Sequence, residues 1–342
     1  MVPLRYLTPF AFLALLPLGA LLGGGWTFMA AAAIPLCLVG LDAGLGDEAA
    51  RTPVPSGSAA RLVPRAYIVL QLALTAWAAA FAARPGTGLL EAAGLALSCG
   101  VTTGVFGLVA AHEMIHSRDW RDRALGLTLL ATLFYMQFRI AHVHGHHQRA
   151  ATSEDPASAR LGESLYAFLP RSIAGQVRQA WTFELQRLRR AHRPAISFGN
   201  RMIAYFAIEA GFLLALAFSG ARIVAFFVAT AVAAVLLLES FNYVAHYGLS
   251  RRATAPGRVE PLGPQHSWNS CKAVNNAALF NMGRHSDHHR RAARPYAELE
   301  AIPDAAHLPS GYAAALLTAL VPPLWRRTMD SRAAAMAGRL ER

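Results

Sequence analysis

The sequence predicts an all-α membrane protein: a six-span transmembrane helical bundle with a cytoplasmic, histidine-rich helical cap. Three observations carry this expectation. The chain of 342 residues is 54% hydrophobic and 15% charged, with mean hydropathy +0.32, whereas an ordinary soluble domain carries about 25% charged residues. Its apolar residues fall in long uncharged runs separated by glycine- or proline-bearing turns. Nine of its 13 histidines sit in four clusters, each where an apolar segment gives way to a polar one.

No charged residue lies between Tyr6 and Leu41. As a single helix, at about 1.5 Å per residue, that stretch would far exceed a hydrocarbon core of about 30 Å. It has to fold back, and Gly23-Gly24-Gly25 supplies the turn, giving spans near 7–22 and 26–41. The same length rule gives spans near 67–83, 89–111, 202–219 and 223–240. Residues 51–64 read as a loop between the second and third spans. Segment 124–138 is apolar but only about 15 residues long, which suits a re-entrant or interfacial helix rather than a seventh crossing. From 176 to 193 apolar residues recur at helical spacing beside a basic face, predicting a helix along the lipid headgroups. The stretch 312–325, interrupted by Pro322 and Pro323, predicts a helix docked on the cap. No linker or repeat divides residues 1–342, so a single integral-membrane unit is expected, with segments 112–201 and 241–342 forming its polar layer.

Six spans place both termini on one side. With the N-terminus cytoplasmic, the outer turns near Gly24, Pro85-Gly86 and Gly220 hold only Arg84 and Arg222 of the 32 Lys and Arg, which leaves 30 inside. This predicts a multi-pass protein of a bacterial-type inner (plasma) membrane, with the histidine clusters cytoplasmic. Reading the first run as a cleaved leader would remove a span and break that asymmetry. The net charge of +12 and pI near 10.4 arise in loops beside spans and accompany no nucleic-acid motif, so membrane lipid is the expected partner and nucleic acid is not. Cys37, Cys99 and Cys271 lie far apart with no CxxC spacing, which excludes an iron–sulfur, zinc-ribbon or disulfide framework.

The chemistry lies in the histidines. His112 and His116 in HEMIH share one helix face, one turn apart, where both reach one ion. HExxH is also the zinc-protease pattern, yet a protease site needs one further ligand, not seven more histidines. In HVHGHH, His142 and His146 repeat the i, i+4 spacing, while His147 points about 100° away toward a second ion. In RHSDHH, His285 stands against His288 and His289 at i+3 and i+4, and adjacent histidines that splay suit a two-metal centre. His246 stands alone in NYVAHYGL, with Glu239 two turns earlier on the same face. A carboxylate inside a membrane helix is costly, so Glu239 is expected to orient a ligand or balance metal charge. Glu113 and Asp287, inside their motifs, carry the same expectation, and Glu209 in the fifth span a weaker one. His144 does not match the ligand spacing, and His192, His266 and His307 lie outside the clusters. Nine imidazoles exceed what one ion accepts, and all-nitrogen ligation is compatible with zinc, copper, nickel or iron. A histidine-rich transporter or sensor would instead line a transmembrane path with such clusters.

These four motifs resemble those of the membrane alkane monooxygenases, the alkane hydroxylase branch of the fatty-acid-desaturase-like superfamily. The flanking text ATSEDPASARLGESLYAFLPRS, QHSWNS and LPSGYAAALLTALVPPLWRR matches as well, so the resemblance covers the chain from about Leu41 onward. It implies a non-haem di-iron enzyme that inserts one atom of O2 into a terminal C–H bond of an alkane, giving a primary alcohol and water. Its nine ligands would be His112, His116, His142, His146, His147, His246, His285, His288 and His289. Electrons would come from rubredoxin, reduced by an NAD(P)H-dependent flavoprotein reductase; the chain shows no electron-carrying motif of its own, and its basic face suits a small acidic carrier. The sequence departs from the family at Ala141 and Ala245, where Glu is usual, and at Gly283, where Gln is usual. The rival reading is a related hydroxylase or desaturase acting on a fatty acyl chain, a methyl-arene or a terpenoid. Three residues separate His142 from the His146-His147 pair, against two in the desaturase pattern.

Overall fold

The computed structural model describes residues 4–48, 58–256 and 258–339. Helices α1 (Leu4–Leu22) and α2 (Gly24–Leu45) form one hairpin, and α3 (Ser58–Ala82) and α4 (Leu89–His116) a second. After α5 (Trp120–Thr132), α6 (138–149) and α7 (Leu165–Arg190) comes a third hairpin, α8 (Arg201–Ser219) and α9 (Ala221–His246). The shorter helices α10 (Ala273–Ala278), α11 (His285–Arg290) and α12 (Tyr312–Ala319) precede α13 (Pro322–Arg339). Strand content is slight: β1 (Ala253–Ala255) pairs antiparallel with β2 (Arg258–Val259), and β3 (Trp268–Asn269) parallel with β4 (Ala306–His307).

The three hairpins supply six helices long and apolar enough to cross a membrane, turning at Gly23, Gly86 and Gly220, which adopt positive φ of 68°, 94° and 114°. The helices overrun the apolar windows of the sequence. The first span begins at Leu4 rather than residue 7, and the second runs to Leu45 rather than residue 41. The third helix starts at Ser58, so 58–64 is helix and not loop, while 51–57 lies outside the described residues. The fourth and sixth continue to His116 and His246 rather than stopping at 111 and 240. Backbone hydrogen bonding persists past the last apolar residue, and this places the histidines on rigid helix ends instead of loops. Likewise α7 starts eleven residues before the sequence pattern does, and 312–325 is two helices broken before Pro322, since proline fits the first turn of a new helix but not the interior of the old one.

Helix α4 is the centre of the bundle, packed against α9, α2 and α3. A Cβ at Gly104 would lie 2.9 Å from Leu237 Cδ1 and 3.0 Å from the Ala234 backbone. Glycine there lets α4 and α9 approach closely, the small-residue packing that joins helices where lipid offers no hydrophobic driving force. Between α3 and α4 the fully buried Gln71 donates to Thr75 (3.1 Å), Thr102 (3.3 Å) and Thr103 (2.9 Å) and accepts from the Tyr67 hydroxyl (3.1 Å). These bonds flank a π-helical turn at Thr103–Gly107, whose extra residue re-aims everything beyond it, including His112 and His116.

On the histidine side of the bundle, α5 to α7 and α10 to α13 form the second layer. Helix α5 is capped by Asp119, whose carboxylate accepts from Arg121 N at 2.9 Å. It ends at a tight turn through Phe134 (φ 53°) that returns the chain into α6. At 13 residues α5 is too short to cross a bilayer, as the sequence predicts for this segment.

Candidate metal centre

All nine cluster histidines come together in two adjoining groups. His112, His116, His142, His147 and His288 form the first, and His146, His246, His285 and His289 the second; within each, one nitrogen per ring lies within 4.8 Å of every other. In the first group Nε2 of His142 lies 2.7 Å from that of His112 and 3.0 Å from that of His147, which is itself 3.1 Å from both His116 and His288. In the second, the Nε2 atoms of His246, His285 and His289 form a triangle with sides of 3.0–3.2 Å. The groups touch: ring centroids of His142 and His146 are 5.1 Å apart, and those of His147 and His289 4.7 Å.

The pairing within the second cluster differs from the i, i+4 expectation. His142 shares its group with His147, five residues on, and His146 belongs to the other group. Residues Ala141–His146 form a π-helical turn, whose wider winding brings position i+5 round toward the face of i, from which an α-helix would turn it away. Helix α7 presses on this turn where a Cβ at Gly145 would collide with the Gln179 side chain. In α11 the sequence expectation of splayed neighbours describes the geometry: His285 and His289 face the second group and His288 the first.

Two contacts outside the rings orient the second group. His146 Nδ1–H donates to Asp155 Oδ2 at 2.8 Å, and His246 Nδ1–H donates to the His266 carbonyl at 3.2 Å. Each bond leaves the Nε2 lone pair facing inward, and Nε2 of His146 is buried without any hydrogen-bond partner. Asp155 also accepts from the Ser158 hydroxyl at 2.7 Å. Burial pushes its carboxyl up, but the His146 ring and the Ser158 hydrogen bond more than offset this and hold it below the usual carboxylate range. Burial, and then mutual repulsion among the rings, pushes His142, His147, His285 and His289 below the ordinary imidazole range, so they are neutral at pH 7 with lone pairs available.

This donor set fits metal. The Nε2 triangle cannot be fully satisfied by hydrogen bonds, because His246 spends its one proton on a carbonyl and its single Nε2 lone pair can accept from only one of the two ring nitrogens that face it. Imidazole nitrogens bind an ion at about 2.0–2.1 Å, so two at right angles sit roughly 3 Å apart, matching the separations here.

The expected carboxylate partners do not hydrogen-bond any of the nine rings. Glu239, fully buried, accepts from Tyr135 (2.9 Å), Ser172 (2.6 Å) and Gln176 (2.7 Å): the helix face that carries it toward His246 is covered by α7 before any ring reaches it. Asp287 accepts from Arg290, Arg294 and the Glu300 amide, and Glu113 from the Tyr296 amide at 3.2 Å, so both fasten the surrounding chain. Glu209 accepts from the Met136 amide at 2.8 Å. Asp155 and the His266 carbonyl take the orienting role instead. Neither is marked by helical spacing, since Asp155 lies in a loop and His266 ends a short 3-10 turn (Pro264–His266), and only the fold brings each to its histidine. His144, His192 and His307 belong to neither group. Ala141 and Ala245 are buried, and a side chain at Gly283 would strike Asn276 Oδ1, so the three departures from the family sit in packed surroundings.

Among the described residues, an apolar and a polar cavity reach the histidines. An apolar one of about 200 Å³ runs between α2, α4, α9 and α12, lined by Ile34, Leu38, Val105, Leu237, Phe241 and Leu316 among others, and reaches His112, His142 and His285. A polar one of about 340 Å³ reaches His116 past Arg61, Glu113, Asp122 and Arg294.

Comparison with known proteins agrees with this geometry. The fatty acid desaturase family model matches residues 89–317. Alkane 1-monooxygenase 1 of Pseudomonas aeruginosa is 40% identical over 86% of this chain and 78% of its own, and alkane 1-monooxygenase 2 of the same organism 39% identical over 86% and 79%. More distant is the xylene/toluene monooxygenase hydroxylase component of Pseudomonas putida, 31% identical over 69% of this chain and 63% of its own. With its six apolar helices and clustered metal-binding histidines, the chain is a multi-pass membrane protein that belongs to the fatty acid desaturase family, within the alkane 1-monooxygenases.

Proposed function

We propose that this protein is an integral-membrane di-iron monooxygenase, one unit over residues 1–342, that hydroxylates a terminal C–H bond of an alkane and releases the primary alcohol. The observation that carries this reading is the convergence of nine histidine rings, in two groups, at the inner end of an apolar cavity. His112, His116, His142, His147 and His288 would hold one iron, and His146, His246, His285 and His289 the other. Bound iron would supply the activation of O2, with two electrons and two protons consumed as one oxygen atom enters the C–H bond and the other leaves as water.

The chain's own residues do the rest. Ile34, Leu38, Val105 and Leu237 bind the alkane by burying it and exclude water from it. The cavity brings the end of the alkane to His112, His142 and His285. Asp155 and the His266 carbonyl keep His146 and His246 in the tautomer that offers Nε2 inward. The polar cavity beside His116 gives protons and water a path that does not cross the substrate's. Since only Arg84 and Arg222 lie on the opposite turns, the histidine layer faces the cytoplasm, where its arginines suit an acidic electron carrier such as rubredoxin, served by an NAD(P)H-dependent reductase.

A second reading, hydroxylation of a methyl-arene, is favoured by the similarity to the xylene/toluene hydroxylase component. Conversion of alkanes, fatty acids and methyl-arenes under 18O2, with a rubredoxin system supplied, separates the possibilities. One 18O atom in a 1-alkanol is expected; label only in a benzylic alcohol would move the assignment to methyl-arenes, and an unlabelled alkene would overturn the oxygenase.

A further inference from the structure

The loop joining α7 to α8 presents two large apolar side chains to the outside: Ile196 is 88% exposed and Phe198 fully so. This loop is tied down. Asn200 Nδ2 donates to the Ala195 carbonyl (2.7 Å), Asn200 N to Ser197 O (3.0 Å), and Arg187 Nη2 to Gly199 O (2.5 Å), while Glu184 clamps Arg187 and Arg201 at its two ends. A loop fixed in this way cannot fold its apolar residues back, so their exposure in water would be a standing cost. Around them Arg189, Arg190 and Arg193 are exposed, and none is paired with a carboxylate among the described residues. Arg187 and Arg201, a turn away, are both paired.

The loop's position identifies what covers it. Arg201 opens a membrane-spanning helix, so residues 191–200 stand at the headgroup level. Trp181 of α7 stacks on Phe206 of α8, with ring centroids 6.3 Å apart, interplanar angle 24° and both rings exposed. Helix α7 therefore lies against the lipid-facing side of that span and does not project away from it. Aromatic and aliphatic tips that enter the acyl boundary, ringed by arginines at phosphate height, form a site for negatively charged lipid.

We propose that Ile196 and Phe198, together with Arg189, Arg190 and Arg193, form a docking site for anionic phospholipid headgroups on the histidine side of the membrane. The guanidinium groups take the phosphates, bidentate where geometry allows, and the two apolar side chains fix the depth. This surface is separate from the metal centre and does not depend on which substrate the protein oxidises.

The test uses the full-length protein in nanodiscs of mixed phosphatidylcholine and phosphatidylglycerol, with one lipid or the other brominated to quench tryptophan. Emission added by Phe198→Trp over the wild-type background should be quenched about threefold more by brominated phosphatidylglycerol than by brominated phosphatidylcholine. Arg189→Gln, Arg190→Gln and Arg193→Gln together should abolish the difference. Equal quenching by both lipids would overturn the anionic preference, and no quenching by either would show that the loop faces water or a protein. Should the Phe198→Trp chain fail to fold, native mass spectrometry of the unmodified protein decides: retention of phosphatidylglycerol over phosphatidylcholine, reduced in the triple variant, supports the site, and equal retention overturns it.

Discussion

Asp155 holds His146 from behind, and it is the residue-scale feature with the sharpest consequence. Replacing it with Asn keeps the shape but removes the charge, and outer partners of metal-bound histidines typically change affinity or activity about 10–100-fold. Asp155→Asn is expected to lower iron retention at the second group by that order while the first group stays loaded. Iron content after graded chelation checks this; unchanged retention would show that the hydrogen bond is incidental. Eight of the nine histidines were legible in the sequence as clusters at helical spacing, whereas His246 stands alone and was placed with them by the resemblance of its motif. Their division into two groups was legible only in part. The π-helical turn at Ala141–His146 exchanges His146 and His147 between groups, and nothing in HVHGHH distinguishes i+4 from i+5. Asp155 and the His266 carbonyl were illegible because contacts from a loop and a 3-10 turn to a distant helix leave no period, whereas Glu239 advertised itself by sitting in an apolar helix and serves Tyr135, Ser172 and Gln176 instead.

Among the elements, α4 is the central helix of the bundle, and its closeness to α9 rests on Gly104. Gly104→Leu would drive a side chain into Leu237 and Ala234 and into the apolar cavity that Gly104 also lines. Overpacking of this kind costs about 1–3 kcal/mol, so a lower unfolding temperature is expected together with loss of activity toward longer alkanes first; unfolding scans and a chain-length series measure the two effects. At the other end of the layer, Glu184 joins α7 to α8. Burial pushes its carboxyl up, but hydrogen bonds from Arg187, Arg201 and the Arg201 amide overcome this and hold it at about 2, below its ordinary 4.5. A carboxylate depressed in the folded state stabilises above pH 4.5, and that contribution is lost as pH falls toward 2. Glu184→Gln should therefore lower stability at neutral pH and flatten its acid dependence, as pH-resolved unfolding would show. Span count and turn positions were readable from the apolar runs and glycines. The helix ends were not, because backbone hydrogen bonding carries α4 and α9 through polar residues that hydropathy counts as outside.

At the scale of the whole molecule, the histidine layer separates an apolar cavity between the spans from a polar cavity at the surface. In the proposed function this arrangement would bring an insoluble substrate to one side of the metal centre and protons and electrons to the other. The fold places nine histidine rings around that boundary, with the buried Asp155 carboxylate hydrogen-bonded to His146, and the proposed function stands on two irons being held there. Iron per chain in purified, active protein is the most direct measurement of this. Two irons per chain are expected, falling toward one in His288→Ala or His246→Ala with loss of hydroxylation; active protein with one iron or none, or a zinc-only sample that iron cannot replace, would rule out a di-iron centre.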